Sequence, residues 1–600
     1  MDLSEFRAIG NLASMFYDQA SRRGDAPFLW SKQNDVYRPL SWHSVARRAA
    51  RLAESLRQQG VRRGDRVVIG SENRPEWVIA DLAILTAGAI PVPVYTTFTV
   101  SDHRHVLTDS GAVAAIASNG PLTSRIAEAA RDTDCRLLVT MANGTPRNEV
   151  EILDWHALAT EDGDIEQARA WAAENRRTDT CAIIYTSGTG GKPKGVMLSH
   201  GAILCNIMGA YDLLSEVGLE DEVFLSFLPL SHSYEHSAGL HFPVAIGAQV
   251  YYAEGVDKLA GNMLEARPTI MTAVPRLYET MRNRILRGVE KAGGLKAKLF
   301  HKALEIGTKR YHDPRSLSPG ERLIDPLLDR LIRDKVRARF GGRLKAFVSG
   351  GAPLNPDVGI FFLALGIRAL QGYGQTESGP VVSCNRPNRI KMHTVGPAFP
   401  GVEVKIAPDG EILIRGELVM QGYWNLPELT AETIRDGWLH TGDIGRIDED
   451  GFIQITDRKK DIIVNSGGDN ISPQRVEGIL CLRPEILQAM VYGDKRPYLV
   501  ALIVPDPEWA KAWATARGKP TEVSALKDDP EFRAALTDAV RATDAELQVI
   551  ERVRHFAIAD EPFTVDNQIL TPSLKMKRHV LREIYGPQLE ALYKRKGGEE

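Results

Sequence analysis

The run Ile183-Ile184-Tyr185-Thr186-Ser187-Gly188-Thr189-Gly190-Gly191-Lys192-Pro193-Lys194-Gly195 decides the reading of this chain. A short apolar, β-branched segment empties into a loop of hydroxyls, glycines and lysines. Glycines let backbone N–H groups turn towards an anion without a Cβ clash. Hydroxyls and ammonium groups add donors suited to a polyphosphate. The loop is not of the Walker type, which needs Lys followed by Ser or Thr and then a helix; here Pro193 follows Lys192. A plain glycine-rich turn is the alternative. Three Ser/Thr, four Gly and two Lys within residues 186–195 weigh against it.

Outward from that loop, short apolar runs at 66–70, 181–185, 345–349 and 367–370 alternate with helical patterns. Strands alternating with helices predict layered α/β subdomains with largely parallel sheets. The pattern changes near residue 395. Runs at 402–407 and 411–415 flank Asp409-Gly410, and runs at 445–448 and 452–456 flank Asp450-Gly451. Asp-Gly between alternating segments is a hairpin signal, so 395–456 reads as a β-rich subdomain. After Asp457 a mixed pattern returns. The expected organisation is a large N-terminal α/β domain over 1–457, including the β-rich part, and a small mobile α+β domain over 458–600.

Three further motifs carry chemistry. In Gln371-Gly372-Tyr373-Gly374-Gln375-Thr376-Glu377, an aromatic between glycines can lie against a purine. Thr376 can donate to a phosphate oxygen, and Glu377 offers a hard carboxylate oxygen to magnesium; a helix cap is the alternative for Thr376. Gly350-Gly351-Ala352-Pro353 would form the facing wall. In open α/β sheets ligands sit beyond the carboxyl ends of strands, and all three loops are expected there. In Trp438-Leu439-His440-Thr441-Gly442-Asp443, a carboxylate after a tight turn can take both ribose hydroxyls, or merely cap the turn. Asp457-Arg458-Lys459-Lys460-Asp461, Ser466-Gly467-Gly468-Asp469-Asn470 and Leu570-Thr571-Pro572-Ser573-Leu574-Lys575-Met576-Lys577-Arg578 say little out of context.

Bulk properties exclude several classes. A net charge of −3 argues against a nucleic-acid binder. Five scattered cysteines form no CxxC pair, which fits a reducing cytosol rather than a disulfide framework or zinc site. No apolar h-region follows the N-terminus. The apolar stretch 78–95 is broken by Asp81, Gly88, Pro91 and Pro93, and reads as a buried helix and strand rather than a membrane span. Residues 282–345 hold 18 Lys/Arg against 7 Asp/Glu. A solvated helical face is the plain reading; a surface for anionic lipid or CoA phosphates is the other.

Taken in order, the motifs resemble the adenylate-forming superfamily of acyl-CoA synthetases, peptide-synthetase adenylation domains and beetle luciferases, over roughly residues 20–585. Leu228-Pro229-Leu230-Ser231-His232-Ser233-Tyr234-Glu235, the 371–377 motif and Leu574-Lys575-Met576-Lys577 look most like bacterial long-chain fatty-acid–CoA ligases. The resemblance implies ATP, Mg2+ and coenzyme A, a fatty-acid substrate, and no nucleic-acid partner. It implies that Thr186, Ser187, Gly188, Thr189, Gly190, Gly191, Lys192 and Lys194 hold the β- and γ-phosphates. Gly351, Ala352, Gln371, Gly372 and Tyr373 would frame adenine, with Thr376 at the α-phosphate and Glu377 at magnesium. Asp443 and Arg458 would take the ribose. Lys460 would be the hinge, Lys575 the catalytic lysine, and His232 a neighbour of the acyl carboxylate. Gly467 and Gly468 would face CoA. Gly190 stands where many relatives have Thr, and Leu574 where many have Gly.

The reaction implied is attack of a carboxylate on ATP to give acyl-AMP and pyrophosphate, then transfer to CoA. The alternatives are an acyl-AMP ligase serving a carrier protein, and a catalytically silent lipid-binding scaffold. The expected location is the cytoplasm, with peripheral contact at the inner face of an anionic membrane through 282–345.

Overall fold

The computed structural model describes residues 3–142, 150–186, 192–571 and 574–594. Two sheets organise the first part of the chain. One has five strands in the order Ile90–Val94, Arg66–Gly70, Ala114–Ala117, Leu137–Thr140, Glu151–Asp154, every neighbouring pair parallel. The stretch 78–95 resolves as expected, into the helix Pro75–Thr86, buried at every position but Glu76, and the first of these strands. Apolar residues on all sides of that helix leave it no solvent face, so it sits inside the core.

The second sheet has eight strands. Its inner six run parallel in the order Ala369–Tyr373, Ala346–Ser349, Ile270–Ala273, Val223–Ser226, Gln249–Tyr252, Pro27–Gln33. Antiparallel Ser383–Cys384 and Val36–Ser41 close the edges. The carboxyl ends of Ala346–Ser349 and Ala369–Tyr373 therefore open side by side.

The hydroxyl-rich loop departs from expectation. It does not follow a strand of an open parallel sheet. Lys194–Ser199 returns antiparallel to Thr180–Thr186, with Thr186 opposite Lys194, so the loop closes a hairpin. Gly422–Tyr423 adds a third antiparallel strand, Tyr423 opposite Val196.

The Asp-Gly hairpins appear as read. Gly410 and Gly451 hold φ of +85° and +81°, a region glycine enters without a Cβ penalty. They join Glu403–Ile406 to Glu411–Arg415 and Trp438–Ile447 to Ile453–Arg458, strands of one antiparallel sheet. Asp443 lies within a strand, opposite Arg458, rather than after a tight turn.

Beyond residue 458, Ile486–Tyr492 and Leu499–Pro505 pair antiparallel and Val553–Ile558 joins in parallel. Separate apolar clusters cover the two faces of this sheet. The segment is fastened to the preceding part by Arg276, whose guanidinium donates to the Leu487 carbonyl at 2.6 Å, and by an ion pair of Arg287 with buried Asp506. No helix among the described residues is long and apolar enough to cross a membrane.

One irregular element borders the site. Glu235–His241 forms a π-helix, a rare geometry concentrated at functional places. Fully buried Asp81 holds it, 3.1 Å from His236 Nε2 and 3.5 Å from His241 Nε2.

Candidate active site

A cleft of about 2190 Å³ opens at the carboxyl ends of Ala346–Ser349 and Ala369–Tyr373. Its walls come from segments far apart in sequence: Thr186 and Lys194, His232 to Tyr234, Gly350 to Ala352, Gln371 to Glu377, Asp443, Arg458 and Lys460, and Lys575. Several glycines here are sterically required. A Cβ on Gly374 would lie 1.9 Å from the Pro380 carbonyl oxygen, and one on Gly350 would lie 2.9 Å from the Tyr234 ring.

Asp443 is held from two sides. The Tyr373 hydroxyl donates to its Oδ2 at 2.7 Å, and Arg458 Nε stands 3.3 Å from Oδ1. Burial pushes its carboxyl up from the ordinary carboxylate value, against the pull of Arg458. Glu377 accepts a hydrogen bond at Oε1 from the Tyr423 hydroxyl at 2.9 Å, and Lys194 Nζ lies 4.3 Å over the Tyr423 ring. Lys194 is lowered by burial, with Glu377 opposing and Lys460 adding repulsion. Thr376 and Ser233 hydroxyls meet at 3.0 Å.

Lys575 reaches the same place. Thr571 N donates to its carbonyl at 2.8 Å and its own N donates to Thr571 Oγ1 at 3.0 Å, which fixes the Lys575 backbone against Thr571. Leu574, at φ +61°, packs on the small cluster of Leu228, Tyr234 and Val274. Protein packed around the ammonium, then the charge of Arg458, pushes Lys575 down to about 8, while Asp443 and Glu377 pull the other way; the residue as a whole stays exposed in the open cleft. Burial and Lys575 together push His232 down to about 3, so its imidazole is neutral at pH 7; Nδ1 accepts from Tyr234 N at 3.2 Å.

The cleft continues into an apolar branch. Ile207, Ala210, Leu213 and Leu214 line it from the helix His200–Ser215, with Phe224, Ala238, Phe242, Ile270 and Phe399 around them. At the π-helix, fully buried Glu235 accepts from Ser226 and Thr272 hydroxyls, each at 2.6 Å, and burial pushes its carboxyl up to about 7.

Placement of the remaining candidates is uneven. Ser187, Gly188, Thr189, Gly190 and Gly191 lie outside the described residues. Lys192 is exposed and does not line the cleft. Gly467 and Gly468 form an exposed turn, with Asn465 Oδ1 accepting from Gly467 N and Asp469 N at 2.9 Å, and likewise do not line it. Sequence reasoning missed Tyr423; the short β-prone run 421–424 was the available signal. It also missed the apolar branch, whose lining is scattered over two hundred residues.

Family comparison bears on this geometry directly. Residues 16–424 match the model of the AMP-binding enzyme, and residues 460–597 that of the AMP-binding enzyme C-terminal domain. The chain belongs to the AMP-binding enzyme family. This AMP-binding enzyme is 35% identical over 590 residues to the long-chain-fatty-acid–CoA ligase FadD15 of Mycobacterium bovis, covering 97% of each chain. It is 30% identical to the peroxisomal long chain acyl-CoA synthetase 6 of Arabidopsis thaliana, covering 94% of this chain and 83% of that one. Among solved structures, the A-PCP didomain of carboxylic acid reductase from Segniliparus rugosus, in complex with AMP, shares the fold of this AMP-binding enzyme. The TM-score is 0.76 at 22% identity, with coverage of 97% and 82%.

Proposed function

We propose that this enzyme activates a long-chain fatty acid with ATP and transfers the acyl group to coenzyme A. The observation that carries the reading is one cleft with two unlike ends. A charged end gathers Lys575, Arg458, Asp443, Glu377 and Lys194, and an apolar branch lined by Ile207, Ala210, Leu213, Leu214, Phe224 and Ile270 adjoins it. Relatives named as long-chain ligases match over nearly the whole chain.

A carboxylate oxygen of the acid attacks the α-phosphorus of ATP; the new O–P bond forms as the bond to the β-phosphate bridging oxygen breaks, and pyrophosphate leaves. Both reactants are anions, so fixed positive charge must offset their repulsion. Lys575 provides it, with Thr376 at the α-phosphate. Thr186 and Lys194, with the loop between them and Lys192, take the β- and γ-phosphates. Gly351, Ala352, Gln371, Gly372 and Tyr373 frame adenine. Asp443, braced by Tyr373 and Arg458, receives the ribose hydroxyls. Neutral His232 borders the acyl carboxylate without adding charge. Glu377 fits magnesium: Tyr423 holds one oxygen, and among the described residues Oε2 accepts no hydrogen bond. Bound there, the ion would neutralise phosphate charge.

In the second step the CoA thiolate attacks the acyl carbon and AMP departs. Lys575 occupies the cleft in this arrangement while Gly467 and Gly468 lie off it. Rotation of the C-terminal domain (458–600) about Lys460 against 1–457 would exchange them, bringing the glycine turn to CoA. Five unpaired cysteines suit a cytoplasmic setting, and the basic region 282–345 suits contact with the anionic inner face of a membrane.

The test is a ligation assay with acids from acetate to palmitate and beyond, read by mass spectrometry. Palmitoyl-CoA formed faster than acetyl-CoA or benzoyl-CoA, dependent on ATP and magnesium, supports the reading. Preference for short or aromatic acids overturns the substrate class, and acyl-AMP without thioester overturns the acceptor.

A further inference from the structure

The helix Pro319–Leu328 and the π-turn Asp329–Arg333 turn a leucine stripe to water. Leu323 is 81% exposed, Leu327 57%, Leu331 38% and Ile324 37%. Leu323, Leu327 and Leu331 recur every four residues, the spacing of one helical face. The opposite face is already satisfied: Leu328 packs with Ala303, Ile306 and Leu317, and Ile332 joins them. A soluble surface rarely gathers large apolar side chains this way without a partner.

The charges around the stripe say which partner. The acids of the region are consumed internally. Asp325 takes Arg310 and the fully buried Arg333, Asp329 takes Arg337, and Glu321 takes Lys302 and Lys309. Arg322, Arg330 and Lys335 are exposed and make no ion pair among the described residues. Arg330 follows Leu323 by seven residues and Lys335 follows Leu331 by four, so both stand along the same face. An apolar stripe edged by unpaired cations is the complement of an anionic bilayer: leucines enter the acyl boundary and the cations stay at the head groups. A second copy of this chain would bring the same cations against each other.

We propose that Leu323, Leu327 and Leu331 insert into anionic membranes and dock the enzyme on the lipid phase. This rests on the membrane contact proposed above for 282–345 and goes further, assigning penetration by one helix face rather than adsorption by charge alone. Insertion suits an enzyme whose long-chain acid partitions into bilayers.

The experiment is sedimentation with phosphatidylglycerol/phosphatidylcholine vesicles and with phosphatidylcholine alone, at low and high salt. Three proteins are compared: wild type, the triple variant Leu323→Ser/Leu327→Ser/Leu331→Ser, and Arg322→Glu/Arg330→Glu. Leu323 is 81% exposed, so the single variant Leu323→Ser, included as a fourth protein, should keep the wild-type melting temperature and separates lost insertion from lost folding. Wild type should bind the anionic vesicles, and each leucine lost should weaken partitioning on the order of tenfold or more. The charge variant should bind more weakly and lose most of its salt dependence. No wild-type binding at low salt overturns the membrane contact itself. Wild-type binding that the serine variant matches leaves that contact standing and overturns insertion. A wild-type dimer that the serine variant dissociates, with vesicle binding unchanged, assigns the stripe to a second copy and overturns it equally.

Discussion

A Cβ added to Gly351 would stand 3.8 Å from Cε of Lys575. The loop after Ala346–Ser349 and a lysine more than two hundred residues later therefore share one wall of the cleft. Gly351 holds φ of +83°, where an L-residue costs on the order of 1 kcal/mol. Gly351→Ala should slow acyl-AMP formation several-fold with a small change in melting temperature. Gly351→Val, bulkier and β-branched, should slow it far more. Rates equal to wild type for both would remove Lys575 from that wall.

Tyr423 joins Glu377 to Lys194 by its hydroxyl and its ring face. Tyr423→Phe keeps the ring and deletes the hydroxyl. A hydrogen bond to a charged group contributes about 1.5–3 kcal/mol net, less at a carboxylate that is only partly buried. The variant should need up to about tenfold more magnesium for half-maximal adenylation, with its thermal melting unchanged. An unaltered magnesium dependence would detach Glu377 from the metal role.

Glu235 gives a pH prediction with a definite sign. Burial raises its folded value to about 7 from the ordinary 4.5. Between those values the unfolded chain has released the proton and the folded one keeps it, so stability falls as pH rises from about 4.5 to about 7 and stays lower above. Glu235→Gln removes the titration. It should flatten this slope and stabilise the protein above pH 7 by on the order of 3 kcal/mol. Calorimetry of both proteins at pH 5 and pH 8 decides it; equal differences at the two pH values contradict the buried proton.

Lys460 follows the strand Ile453–Arg458 and is exposed. Among the described residues its N–H makes no backbone hydrogen bond that proline would delete. Proline fixes φ near −65°. Lys460→Pro should therefore keep acyl-AMP formation while lowering thioester formation, measured as separate half-reactions. Loss of adenylation alone would place Lys460 in the first step instead of at a hinge.

The sequence made some of this legible and not the rest, for physical reasons. Local rules sufficed for the Asp-Gly hairpins at 409–410 and 450–451, because turn chemistry is confined to two residues. They sufficed for the helix and strand within 78–95, where Pro and Gly punctuate an apolar run. The loop at 350–353 stands beyond a parallel strand as read, whereas Gln371, Gly372 and Tyr373 are the last residues of Ala369–Tyr373 and only 374–377 follow it. Local rules left 194–199 unread, because its strand is chosen by pairing with Thr180–Thr186 and Gly422–Tyr423 rather than by propensity. Asp443 read as a turn residue because Gly442 precedes it, yet its partners Arg458 and Tyr373 come from cross-strand register and from another sheet. The apolar branch is a property of packing among a helix, a π-helix and parallel strands, and no single segment announces it. The leucine stripe at 323–331 sat inside the basic region and passed as ordinary helix, since apolar spacing cannot say which face meets water.

The central claim is that Lys575 serves the first half-reaction and withdraws from the second. Single-turnover measurement of each half-reaction in Lys575→Ala tests it most directly. Losing a well-placed charge typically costs on the order of 10²–10³ in rate, so acyl-AMP formation should fall by that factor while thioester formation from supplied acyl-AMP stays near the wild-type rate. Equal loss in both half-reactions would contradict the account.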